Sequence, residues 1–142
     1  MASSRSAQRL LLLFIPSAVV LVAHGVLSLG FDAYTRFPAL DIPVHVAGGI
    51  AIALALDGCV AWCEQRSLLQ VSVPLLRLVL LLSLVTSVAT AWELVEFTSD
   101  SLFDTGAQKG LADTLSDIVF GVLGGSSFAG FSTFLRSRRR HE

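Results

Sequence analysis

Four apolar stretches dominate the chain, and each is long enough to decide what it folds into. They run from Leu10 to Leu29, Ile42 to about Trp62, Pro74 to about Phe97, and about Leu111 to Leu135. A helix needs about 20 apolar residues to cross a bilayer core, and inside lipid only a helix or a closed barrel satisfies its own backbone. The sequence therefore predicts an all-α, integral membrane four-helix bundle formed by one domain of 142 residues. Composition agrees: 54% of residues are hydrophobic and 15% charged, against about 25% charged in soluble domains. Mean hydropathy is +0.73. A soluble globule of this size has too little interior for that much apolar surface. Nucleic-acid binding, disorder and a disulfide-stapled secreted fold are poor fits.

The ends of the stretches carry recognisable boundary signals. Gly30 and Asp32 close the first, Asp41 and Pro43 open the second, and Arg136, Arg138, Arg139 and Arg140 follow the fourth. Arg5 and Arg9 ahead of the first stretch also fit a cleaved signal peptide, but its apolar run exceeds the usual 7 to 15 residues (roughly) of such segments, which favours a retained span. Lysine and arginine accumulate on the cytoplasmic side of membrane proteins. With both termini cytoplasmic, Arg5, Arg9, Arg66, Arg77, Arg136, Arg138, Arg139 and Arg140 lie inside, and Arg36 and Lys109 outside. The expected location is the inner (plasma) membrane, with the basic tail against anionic headgroups.

That topology sorts the acids. Asp32, Asp41, Glu93, Glu96, Asp100, Asp104, Asp113 and Asp117 fall at the outer end, and Asp57, Glu64 and Glu142 toward the inside, where Asp57 is placed to pair with Arg66 or Arg77. His24 and His45 join the outer group, whereas His141 lies in the tail. Helical spacing puts Glu93, Glu96 and Asp100 on one face and Asp113 and Asp117 on another. The same faces continue into small residues: Gly121, Gly124 and Gly125; Ala89, Thr90, Thr86 and Ser83; and Gly48 and Gly49 beside His45. Small residues let helices approach in lipid, and a charge at the bilayer centre costs about 2.5 to 3.5 kcal/mol on insertion scales. The charged faces are therefore expected to be the packed faces.

Ala91-Trp-Glu-Leu-Val-Glu-Phe-Thr-Ser-Asp100, followed by Gln108, Gly110, Leu111, Asp113, Thr114 and Asp117, resembles a family of uncharacterised bacterial inner-membrane proteins of the YjdF type. Asp41, His45 and Gly48-Gly49 resemble that family's Asp/His/Gly-Gly segment, so the likeness covers roughly residues 41 to 125. More loosely, the chain is similar to VanZ-like proteins, which share an early histidine and later acids. The expected Asn or Asp near Gly121 is missing. The resemblance implies the membrane fold and the importance of the polar positions, and it brings no activity with it.

The chemistry these residues suit best is a metal site. His45, Glu93, Glu96, Asp100, Asp113 and Asp117, with His24 nearby, offer nitrogen and oxygen ligands from facing helices. Inward glutamate and histidine side chains build carboxylate metal centres in helical bundles. The mixed donors suit Mn, Fe or Zn, while Ca or Mg would use carboxylates alone. A metal-dependent hydrolase would then use Glu96 as general base. The alternative is a non-catalytic accessory or assembly subunit of a larger membrane complex, or a homo-oligomer, in which the polar cluster locks helix packing. Nucleophilic serine motifs are absent, and one outer arginine, Arg36, is thin for a phosphatase. A bis-histidine haem on His24 and His45 is disfavoured by the surrounding acids, and the polar track is too short for a relay through one subunit. Cys59 and Cys63, spaced i, i+4, are not a Cys-x-x-Cys redox pair. Gly121-x-x-x-Gly125 fits internal packing better than oligomerisation, and Trp62, Trp92, Tyr34 and Phe37 fit interfacial anchors.

Overall fold

In a computed structural model, the described residues are 8 and 10–139, apart from 32 and 107. Arg5, Arg9, Asp32, Arg140, His141 and Glu142 lie outside them. The described residues form helices and no strand, and four helical stretches are long and apolar enough to cross a membrane.

The first span covers Leu10–Ser28. Its regular part is Ile15–Gly25, with Pro16 in the first turn, where a missing N–H costs nothing, and it loosens into a π-helical turn over Val26–Gly30. Two short helical pieces, Ala33–Arg36 and Pro38–Leu40, lead into the second span, Asp41–Gln65. Asp41 opens that helix, yet its carboxylate is spent on side chains rather than on a cap. The third span, Pro74–Phe103, starts on a proline and stops where Asp104 turns left-handed at φ 52°. The fourth, Leu111–Arg139, follows Gly110, whose φ of 118° only glycine adopts without strain. The second, third and fourth spans extend past their apolar stretches, so Asp41, Glu64, Asp100 and Arg136 sit on helix.

The second span is central and packs most extensively on the fourth, which also holds the third; the first rests chiefly on the second. Hydrophobic burial does not drive association in lipid, so close approach matters instead. A Cβ on Gly49 would overlap the Gly121 carbonyl, and one on Gly124 would overlap the Val46 carbonyl. Gly125 likewise abuts Val85. The Gly121 to Gly125 motif is thus used inside the bundle. Ser83, Thr86 and Thr90 depart from the packed-face expectation: all three are exposed, and Ser83 and Thr86 satisfy their hydroxyls on the carbonyls four residues back, Val79 and Leu82, which lets them stand in lipid.

At the basic end, Asp57 pairs with Arg77 rather than Arg66. Arg77 NH2 donates to Asp57 Oδ1 at 2.6 Å and NH1 to Glu64 Oε2 at 2.8 Å, while Arg136 NH2 and Ser132 Oγ donate to Asp57 Oδ2, each at 2.8 Å. One aspartate on the second span therefore ties the third and fourth together. Arg66 instead lies 4.4 Å above the Trp62 ring.

Candidate functional site

The opposite, acidic end gathers side chains from all four spans and two connections. Asp41 and His45 are one helical turn apart on the second span, so both project to one side. The glycine-tight crossing brings Asp117 of the fourth span against them. His45 Nε2 lies 3.4 Å from Asp41 Oδ1 and 3.7 Å from Asp117 Oδ1. One ligand atom from each residue falls within 4.8 Å of the others. Asp41 and Asp117 retain only 8% and 4% exposure. Two buried carboxylates converging on one imidazole nitrogen form the arrangement in which a cation can replace a shared proton.

The loop between the third and fourth spans supplies a counter-charge. Lys109 Nζ donates to Asp41 Oδ2 at 3.0 Å and lies 3.9 Å from Asp113 Oδ2. Partial burial works against its charge, but the hydrogen bond and charge of Asp41 outweigh this and raise its pKa above the ordinary lysine value. Lys109 also stands 5.4 Å from the Tyr34 ring centroid. Burial, followed by the charges of Asp41, Glu96 and Asp117, pushes the Tyr34 phenol up to about 12.

A second chain of contacts runs beside the first. The Tyr34 hydroxyl is 3.0 Å from His24 Nδ1, His24 Nε2 is 3.2 Å from Glu96 Oε1, and Trp92 Nε1 donates to that same oxygen at 2.9 Å. The geometry fits a ring that accepts at Nδ1 and donates at Nε2. The two histidine rings are 6.5 Å apart and nearly perpendicular, so the chains adjoin without merging.

Of the residues singled out in the sequence, His45 and Asp117 come together. Glu93 is buried beside them, facing the fourth span. Glu96 turns toward the first span, because residues three apart point about 60° apart on a helix and neighbouring spans take one each. Asp113 stands at the rim near Lys109, and Asp100 sits a turn beyond, bonded by Thr105 at 3.2 Å. Asp41 was absent from the sequence-derived ligand set; its signal was the Asp-x-x-x-His spacing to His45. Lys109 could have been noticed as a cation amid acids, and Tyr34, expected as an aromatic anchor, is buried with its hydroxyl on His24.

Fold and site together define a small helical membrane protein with a buried acid and histidine cluster at one end. The chain matches the family model described as "Predicted membrane protein (DUF2238)" over residues 4–138, and it belongs to that family. This agrees with the YjdF-type resemblance. No curated protein and no solved structure matches the chain.

Proposed function

We propose that this protein binds a divalent cation between Asp41, His45 and Asp117, at the outer face of the inner membrane with both termini cytoplasmic. The observation that carries this reading is the convergence of three ligand atoms within 4.8 Å on two helices held by the Gly49 and Gly121 contact. Three protein ligands leave a position for water, the pattern of catalytic rather than structural sites. Mn, Fe or Zn fits two carboxylates and an imidazole. Glu93, Glu96 and Asp113 flank this set and hold its potential negative, attracting the cation. A cation there would lower the pKa of a bound water, and Glu96 is the general base for a hydrolytic reaction. Its contact with His24 and Trp92 fixes that carboxylate beside the cluster.

A second reading rests on Lys109, which already supplies a positive charge to Asp41. In that case the cluster is a polar lock, and the protein serves as an accessory subunit of a larger complex or as a homo-oligomer. Elemental analysis of detergent-purified protein separates the two. One metal per chain, lost in His45→Ala and Asp117→Asn, supports cation binding. Metal-free wild type that remains folded and copurifies with partner proteins supports the lock.

A further inference from the structure

A cavity of about 390 Å³ lies between the first span and the rest of the bundle. Its long wall runs from Phe14 to His24 on the first span, roughly 15 Å at 1.5 Å per residue. Leu21, Ile52, Val85 and Val88 make its body apolar. His24, His45 and Trp92 close its acidic end. The first span has no buried residue, so it leans on its neighbours without filling this space. Gly48 faces it across an ordinary gap, with Val20 3.8 Å from where a Cβ would stand.

A void of this size forfeits dispersion contacts along every wall. Water is a poor occupant, since it needs two or more polar partners and the lining is apolar. The cavity lies along the membrane-spanning part of the helices, where the surrounding solvent consists of hydrocarbon chains. Its size falls within the range of ligand pockets, roughly 300 to 1,000 Å³. The polar end then bears on the headgroup. Asp41, Glu96 and Asp117 stand directly behind the two histidines that form this end of the lining, and among the described residues Lys109, near Tyr34, is the lysine or arginine paired with them. An excess of carboxylates repels an anionic headgroup and attracts an ammonium, while Lys109 offers one partner for a phosphate.

We infer that the cleft is a lipid site: it holds one acyl chain of an amine-bearing zwitterionic phospholipid, whose ammonium meets the acidic end of the bundle. Occupancy needs no bound metal, so this site stands or falls separately from the cation site. It also sets a phospholipid headgroup beside Asp41, His45 and Asp117.

Trp92 lines the cleft and Trp62 is the other tryptophan of the chain, so Trp62→Phe leaves one reporter at the site. The delipidated Trp62→Phe protein in detergent is titrated with phosphatidylethanolamine carrying a brominated acyl chain, and separately with brominated phosphatidylglycerol. Expected is saturable quenching of Trp92 at one phosphatidylethanolamine per chain, with phosphatidylglycerol binding at least several-fold more weakly. Ala18→Phe fills the cleft from the first span and Val88→Phe from the third; each should weaken binding at least tenfold. Val19→Phe, on the neighbouring exposed position that does not line the cleft, should leave it unchanged. Helicity and a monodisperse elution profile identify the folded variants, and either cleft filler suffices. Quenching that never saturates, or equal loss in Val19→Phe and the fillers, overturns the site. Phosphatidylglycerol binding as tightly overturns the headgroup assignment. Because a bound cation would offset the charge of Asp41 and Asp117, repeating the titration with a chelator should leave phosphatidylethanolamine binding as tight or tighter, and weaker binding would overturn its independence of metal.

Discussion

Gly49→Ala tests the link between packing and the acidic cluster. The added methyl has nowhere to go: its nearest neighbour is the Gly121 backbone carbonyl, and Gly125 N follows at 2.9 Å. Backbone atoms cannot rotate aside, so the second and fourth spans must separate by roughly an ångström to restore a carbon-to-oxygen contact of about 3.3 Å. Overpacking costs about 1 to 3 kcal/mol, and a backbone obstacle puts this site at the upper end. Alanine returns about 1 kcal/mol in helix propensity. The net expectation is a loss of about 2 kcal/mol. Gly49 and Gly121 lie one turn below His45 and Asp117, so the same movement stretches their 3.7 Å contact and should weaken cation binding at the proposed site. SDS titration in mixed micelles, followed by far-UV circular dichroism, measures the stability. Gly130→Ala is the control: nothing lies within 4 Å of its added Cβ, so it should be neutral or stabilising by up to about 1 kcal/mol. If Gly49→Ala is as stable as wild type, the close crossing is not what positions the site.

At the basic end, Arg77→Gln strips a buried cation from Asp57 and Glu64 and should cost about 3 to 5 kcal/mol in the same titration. Arg136→Gln, whose side chain is 43% exposed, should cost about 1 kcal/mol or less. Spectrophotometric titration near 295 nm should show Tyr34, the sole tyrosine, ionising at about 12 rather than about 10. The sign follows from linkage. Because the folded-state pKa is raised, the Tyr34 contribution is fully present below about pH 10 and is lost as pH climbs toward about 12. A midpoint near 10 in the folded protein would remove the buried phenol from the account.

The four spans were legible because lipid imposes a length and charge rule that a sequence obeys visibly. The glycine crossing was legible for a related reason: small residues at helical spacing serve mainly close approach, and Gly49, Gly121, Gly124 and Gly125 are used that way. Asp57 with Arg77 was within reach because both fall at one depth on adjacent spans. The ligand set was harder. Glu93, Glu96 and Asp100 share a face by periodicity, but the flank of that 30-residue helix is divided between two neighbouring spans and its own C-terminal turn. Glu93 therefore meets the fourth span, Glu96 the first, and Asp100 a local turn. Lys109 reaches Asp41 across 68 residues of chain through a loop whose path depends on left-handed Asp104, Gly106 and Gly110. Nothing in spacing encodes that reach. The cleft was invisible as well, because a loosely seated span has the same apolar sequence as a tightly packed one.

The central claim is that Asp41, His45 and Asp117 form a cation site. Its most direct measurement is a calorimetric titration of chelator-treated protein with Mn(II), Fe(II) and Zn(II). At least one of these should bind at one equivalent per chain, His45→Ala should weaken it by at least about 100-fold, since groups that merely orient a ligand are already worth about 10- to 100-fold, and Lys109→Ala should tighten it by freeing Asp41. Equal binding by wild type and His45→Ala, or none of the three metals bound by folded wild type, would contradict it.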